Sequence, residues 1–157
     1  MPAPTQPTNP PAHHGKEGVI AISTTGAGTV AAMELIAEWS LDLATDKVET
    51  TALGSPNKTY VQGLKDVKGT FSGFFNSADD SIFEAADSPD GVKIEIWPTV
   101  LSEISFVGPA WLDVSIKGGV NSAVAVDGSF VANGAWTRTA PVAGGGLAAR
   151  RAREARL

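Results

Sequence analysis

A serine hydrolase needs a histidine held rigidly beside its nucleophile. The two histidines of this chain, His13 and His14, sit side by side in a stretch that also holds Pro2, Pro4, Pro7, Pro10 and Pro11. A base on such a segment has nothing to orient it, so no Ser–His–acid constellation is expected. The absence of Cys removes thiol chemistry, disulfides and Cys-ligated zinc. Asp79 and Asp80, with Asp87 and Asp90, are the densest carboxylate group, but their spacing is not that of an EF-hand loop. An acidic pair is also what the first turn of a helix favours. Gly26-Ala27-Gly28 begins like a phosphate loop, lacks the rest of the G-x-G-x-x-G spacing and precedes a strand, so a turn is expected there. Asn57-Lys58-Thr59 matches a glycosylation sequon by letters, with no secretion signal beside it. Trp39, Trp97, Trp111 and Trp136 could line a sugar site, yet they come from separate segments, and Trp39 is in phase with apolar neighbours. No cofactor, no metal and no enzymatic activity are expected.

The elements that would position these residues are mostly strands. Hydrophobic residues make up 43% and charged residues 18% of 157, with 17 Gly and 10 Pro, a balance that suits strands joined by many turns in one domain with extended ends. No stretch approaches the ~18 apolar residues of a membrane helix, so no membrane partner is expected. The net charge of −5 is unevenly spread. Residues 1–149 hold 16 acids against 8 bases, and the last eight residues hold four Arg and one Glu. An acidic body argues against wrapping nucleic acid, which takes a Lys/Arg surface that displaces counterions. Arg150, Arg151, Arg153 and Arg156 are better suited to an acidic protein surface than to DNA.

Residues 1–18 are expected to be an extended arm, 19–140 the folded domain, and 141–157 a Gly-linked, Arg-rich tail. Within the domain, residues 33–43 alternate strictly, with Met33, Leu35, Ala37, Trp39, Leu41 and Leu43 on one face. Glu34, Ile36, Glu38, Ser40 and Asp42 fall on the other. Thr45-Asp46 is expected to turn the chain into a second strand over 47–53, and residues 54–66 to form a long loop carrying Gly54, Asn57, Lys58, Tyr60 and Asp66. A strand follows over 67–75. A helix over 77–88 is expected, with Ser77 as its N-cap and Ile82, Phe83 and Ala86 on one face. Further strands are expected over 92–97, over 104–117 with a bend at Gly108-Pro109, and over 124–132 after a turn at Gly118-Gly119. The last strand, over 135–139, follows an Asn133-Gly134 hairpin turn. About seven strands and one flanking helix make an all-β sandwich or barrel.

Several blocks of this sequence resemble the tail tube proteins of siphophages, the phages with long non-contractile tails. They are Glu38-Trp39-Ser40-Leu41-Asp42, Val48-Glu49-Thr50-Thr51, residues 58–66, Lys68-Gly69-Thr70-Phe71-Ser72-Gly73, and the ending from Gly128-Ser129-Phe130 through Asn133 to Arg138. The resemblance covers about residues 20–140; the proline-rich start and Arg-rich end depart from it. It implies a β-sandwich with a flanking helix that forms hexameric rings, stacked into a hollow tube through which double-stranded DNA passes without specific binding. It also implies a virion location after synthesis in the host cytoplasm, and tape measure, tail terminator and distal tail proteins as partners. On that footing Glu34, Glu38 and Asp42 are expected to face the lumen, the 54–66 loop to join rings, and the Arg-rich tail to make tail contacts. The tube of a bacterial injection system shares this architecture. A carbohydrate-binding or adhesive β-sandwich of a tail tip or decoration protein is the alternative.

Overall fold

The structure, a computed structural model, describes residues 15–25, 28–100 and 103–139. The proline-rich segment through His14, Gly26, and the expected C-terminal tail lie outside the described residues. Eight strands are present among them: β1 (Val19–Ser23), β2 (Ala31–Ala32), β3 (Ile36–Glu49), β4 (Tyr60–Phe74), β5 (Val92–Trp97), β6 (Ser105–Gly119), β7 (Ser122–Ala132) and β8 (Thr137–Thr139). All pair antiparallel in one sheet of order β2-β1-β5-β6-β7-β4-β3, with β8 beside β6. The sheet curls into a half-barrel, so the all-β architecture with one flanking helix takes the barrel-like form.

Alternation builds the core. On β5, Val92, Ile94 and Ile96 are buried, and they meet Ile20 and Ile22 of β1, Ala110 and Leu112 of β6, Phe130 of β7 and Phe71 of β4. Each such side chain withdrawn from water contributes about 1.5–3 kcal/mol. Two aromatic rings lie over glycines on the neighbouring strand. Phe71 pairs with Gly128 and Phe130 with Gly69, and a Cβ on either glycine would collide with the ring opposite. The helix α1 (Ser81–Ala86) closes the core with Ala85 buried and Ile82 and Ala86 against the cluster. It is shorter than the expected 77–88. Asn76 and Asp79 turn the approach by accepting from the Ala78 and Ser81 amides at 3.0 and 2.9 Å, so Asp80, not Ser77, stands at the N-cap position.

Three sequence expectations are corrected here. Strand β3 does not begin at Met33. Leu35 has a left-handed φ of 58°, and the register shift between Ile36 and Glu38 leaves Ala37 as a bulge. The extra residue reverses parity, which is why Ile36, three residues from Trp39, packs on the core beside it. Second, Thr45-Asp46 is not a turn. Asp46 sits opposite Gly63 and Leu64 in a second bulge, between the pairs Thr45↔Lys65 and Lys47↔Gln62. The strand runs on to Glu49, and half of the supposed loop, including Tyr60 and Asp66, is strand β4.

Third, Asn133-Gly134 does not fold β8 back on β7, because β6 and β4 already occupy both edges of β7. β8 instead continues along β6, with Thr137 opposite Val107. Pro109, which has no N–H for a ladder, sits where β6 changes partner from β8 to β7, and the strand runs on through it as one element. The Pro109 carbonyl accepts from the Asn133 amide at 3.0 Å and from Trp136 Nε1 at 2.9 Å. The turn between β6 and β7 falls at Val120-Asn121, just after Gly119.

Candidate functional site: a polar sheet face and a projecting hairpin

The residues between the core positions define the opposite face of β3, β4, β7 and β6, and pairing sets them in rows. Glu38 is opposite Ser72, Ser72 opposite Asp127 and Asp127 opposite Ser115. The next row is Ser40, Thr70, Ser129 and Asp113, and beyond it Asp42, Lys68, Val131 and Trp111. The first two rows line a shallow trough of about 530 Å³. Ser40 Oγ and Thr70 Oγ1 are 2.8 Å apart, and the Thr70 amide donates to Ser40 Oγ at 3.2 Å. Lys117 Nζ donates to Asp127 Oδ2 at 2.8 Å. That hydrogen bond, with the carboxylate charge, holds the Lys117 ammonium above its ordinary pKa. This face therefore carries carboxylates and hydroxyls over a smooth sheet, with Glu38, Asp42, Asp66, Asp113 and Asp127 against Lys68 and Lys117. Such a surface repels polyanions and offers them few cationic footholds.

Of the three acids expected to share a face, the structure brings together Glu38 and Asp42. Glu34 precedes the strand, where Asn76 Nδ2 donates to its Oε2 at 3.1 Å beside α1. Sequence reasoning missed Asp113 and Asp127. Their signal was present, since Asp113, Ser115 and Lys117 alternate with Leu112, Val114 and Ile116, and Asp127 and Ser129 flank Gly128.

Past Leu43 the β3–β4 pair leaves the core and projects as a hairpin. Leu53 and Leu64 are 106% and 82% exposed, and Val48, Tyr60 and Val61 are also exposed. Its tip is nonetheless ordered. The Thr50 amide donates to the Thr59 carbonyl at 2.8 Å, the Thr59 amide to Thr51 Oγ1 at 3.1 Å, and Lys58 Nζ lies 3.2 Å from Glu49 Oε2. Gly54 takes a φ of 87° that suits glycine, and Asn57 shares the exposed tip. Of the residues expected in a joining loop, Gly54, Asn57 and Lys58 are at this tip, Tyr60 starts β4, and Asp66 lies nearer the body.

The tryptophans do not converge. Trp97 is buried, Trp39 packs against the core from β3, Trp136 stacks on Phe130 at 5.8 Å between ring centroids, and Trp111 is exposed on the polar face. Among the described residues no three His, Asp or Glu side chains are gathered to hold a metal ion. None of their helices is long and apolar enough to cross a membrane.

No family model matches the chain, and no curated protein does. Its fold does match solved structures. It resembles a chain in the tail of an empty gene transfer agent particle with C6 symmetry, with a TM-score of 0.67 and 18% identity over 82% of this chain and 100% of that one. A chain from the virion of a native gene transfer agent particle matches with a TM-score of 0.70 and 15% identity, over 82% and 100% of the two chains. The SPP1 tail tube matches with a TM-score of 0.68 and 13% identity, over 83% and 80%. The curled sheet with its flanking helix is thus the fold of the SPP1 tail tube and of the gene transfer agent tail, the fold that the sequence resemblance implied.

Proposed function

We propose that this chain is a structural, non-enzymatic subunit that assembles into six-membered rings, stacked into the hollow tail tube of a virion or related particle, through which double-stranded DNA travels. The observation that carries this reading is the open edge of β3, a 14-residue strand paired on one side only among the described residues, on a fold shared with a C6-symmetric tail. Such an edge is a template for another chain, and a closed ring satisfies every copy of it. The carboxylate and hydroxyl face fits a wall along which DNA slides without sticking. Glu38 and Asp42, joined by Asp113 and Asp127, are its acids in this reading. Tape measure, tail terminator and distal tail proteins would be its partners at the tube ends.

Electron microscopy of the purified protein tests the assembly. Rings or tubes with six-fold symmetry are expected, and a chain that stays monomeric at every concentration would remove the reading. In the same images, chains ending at Gly146 should give tubes that come apart at lower salt, if the Arg-rich tail with Arg150, Arg151, Arg153 and Arg156 grips an acidic neighbour. Tubes of unchanged salt stability would remove that role from the tail.

The projecting hairpin is assigned to contacts between subunits, because Val48, Leu53, Tyr60, Val61 and Leu64 are all exposed on it among the described residues. Joining Glu49 to Tyr60 through Asn-Gly in place of residues 50–59 should leave the melting temperature within a few degrees of the parent, since no core residue is touched, and should abolish tubes. Normal tubes from this variant would show that the tip is not an assembly element.

A further inference from the structure

Two strand edges bound the polar face. On one side, β3 is paired with β4 alone among the described residues. On the other, β5 accompanies β6 only as far as the pair Val92↔Ala110, while β7 stays beside it to Gly119. From Trp111 to Gly119, β6 therefore has no strand on its outer side among the described residues. Both edges present backbone N–H and C=O groups without a ladder partner there.

The two edges are matched in direction and phase. Every step of the order β3-β4-β7-β6 is antiparallel, so β3 and β6 run oppositely. Rotating one copy about an axis on the polar side sets its β6 antiparallel to the next copy's β3, with both polar faces turned the same way. Hydrogen-bonded and non-hydrogen-bonded pairs alternate across such a row. In the row Glu38, Ser72, Asp127, Ser115 the two end residues thus direct their backbone groups alike, both outward or both inward, and a joint that sets polar positions opposite polar positions keeps the ladder in phase. Two copies of β3 could also pair about a two-fold axis. In the register centred on Ser40 that would set Glu38 against Asp42 twice, and like charges directly opposite destabilise a sheet. The β6 edge instead brings Lys117 to these acids.

We infer that residues 38–46 of β3 pair with residues 111–119 of β6 in the adjacent copy, with Ser40 opposite Lys117 and Asp42 opposite Ser115; the inference rests on the reading of the chain as a ring-forming subunit. Overlap, tilt and charge select this register. Continuing each row straight across would set Glu38 opposite Ser115 and Gly119 opposite Glu34, which precedes β3. A displacement of four residues from that row uses the whole unpartnered length of β6, and a displacement the other way shortens the overlap. Four residues, about 13 Å, over four strand spacings, about 19 Å, tilt the strands by about 35°, which falls in the range of closed barrels. Straight continuation gives no tilt, and a displacement of two gives about 19°. Charge separates the rest. A displacement of two sets Asp113 opposite Asp42 and one of six sets it opposite Asp46, whereas four sets it opposite Ala44 and leaves Lys117 between Glu38 and Asp42. Exposed ion pairs contribute at most about 1 kcal/mol each, so the charges choose among registers while the backbone ladder holds the joint.

Disulfide trapping reads the register directly. Within one copy, Ser115 and β3 are three strand spacings apart, about 14 Å, beyond the ~7 Å between Cα atoms that a disulfide spans. The chain has no cysteine, so a bond from Ser115→Cys to a cysteine on β3 must join two copies. Full-length chains carrying Ser115→Cys with Glu38→Cys, Ser40→Cys, Asp42→Cys or Ala44→Cys are assembled, imaged and oxidised; none of the five positions is buried. A ladder of covalent oligomers on a non-reducing gel is expected to form at least about tenfold faster with Asp42→Cys than with the other three. A fastest ladder from Glu38→Cys, Ser40→Cys or Ala44→Cys would overturn the register. No ladder from any of the four in assembled tubes would overturn the pairing of these edges and leave the subunit reading standing. Parent chains that never assemble would overturn both.

Discussion

Replacing Phe71 with alanine is expected to lower the unfolding free energy of the dispersed chain by about 3–5 kcal/mol, the range for a buried aromatic truncated in a close-packed core. Phe71 is 2% exposed and its ring covers Gly128, which has no side chain to fill the space left behind. The void therefore opens between β4 and β7, at the pairing that joins the β3–β4 hairpin to the rest of the sheet. Urea unfolding followed by circular dichroism measures the loss, and a shift below about 1 kcal/mol would mean that the ring does not pack as described. Against a typical total of ~5–15 kcal/mol for a domain, the variant is expected to be partly unfolded at 37 °C.

Reversing Glu38, Asp42 and Asp113 to Lys is expected to have the largest effect on function, while leaving assembly intact. All three side chains leave the sheet on the face away from the core, and each substitution moves that face by two charges. In the proposed tube, a wall that repels phosphates would become one that binds them, repeated in every ring. Particles should form and attach, but the fraction of genomes ejected should fall by about tenfold or more at low salt and recover as salt rises, because phosphate contacts weaken steeply with ionic strength. Glu34→Lys is the matched control. It makes one such two-charge change beside α1, away from the trough, and should eject normally. Equal defects from Glu34→Lys and from the triple variant, or none from the triple variant, would remove the polar face from the DNA path.

The parts of this molecule legible in its sequence are those where one residue type repeats on one period. Val92, Ile94 and Ile96 mark β5 to the residue, and Val67, Gly69, Phe71 and Gly73 mark the buried face of β4. Parity failed where a bulge intervened. Nothing in the types of Leu35, Glu34 or Ala37 signals a left-handed residue or an inserted one, so Glu34 was placed with Glu38 by a count that the backbone does not keep. Thr45-Asp46 carries turn chemistry, but pairing with residues 60–65 over a long hairpin outweighs a two-residue preference. Partner choice was also hidden. Asn133-Gly134 suits a hairpin, and only the prior occupation of both edges of β7 sends β8 along β6. The polar face was half legible for a related reason: its acids come from strands distant in sequence, and only sheet order brings Asp113 and Asp127 to Glu38.

The two rings set over glycines across β4 and β7 encode something that alternation cannot. A strand that slides by two residues keeps every side chain on its proper face, so the hydrophobic pattern selects parity and is blind to displacement. In the pairing seen here, Phe71 meets Gly128 and Gly69 meets Phe130. Slide β7 by two in one direction and Phe71 would face Phe130 while Gly73 faced Gly128, two bulky groups contending for one space beside a vacancy. Slide it the other way and Gly69 would face Gly128, with both rings displaced onto valines. The large-small, small-large quartet thus works as a vernier with a single coincidence point, and it sets how far the projecting hairpin stands out from the body. A ring of subunits requires that length to be identical in every copy.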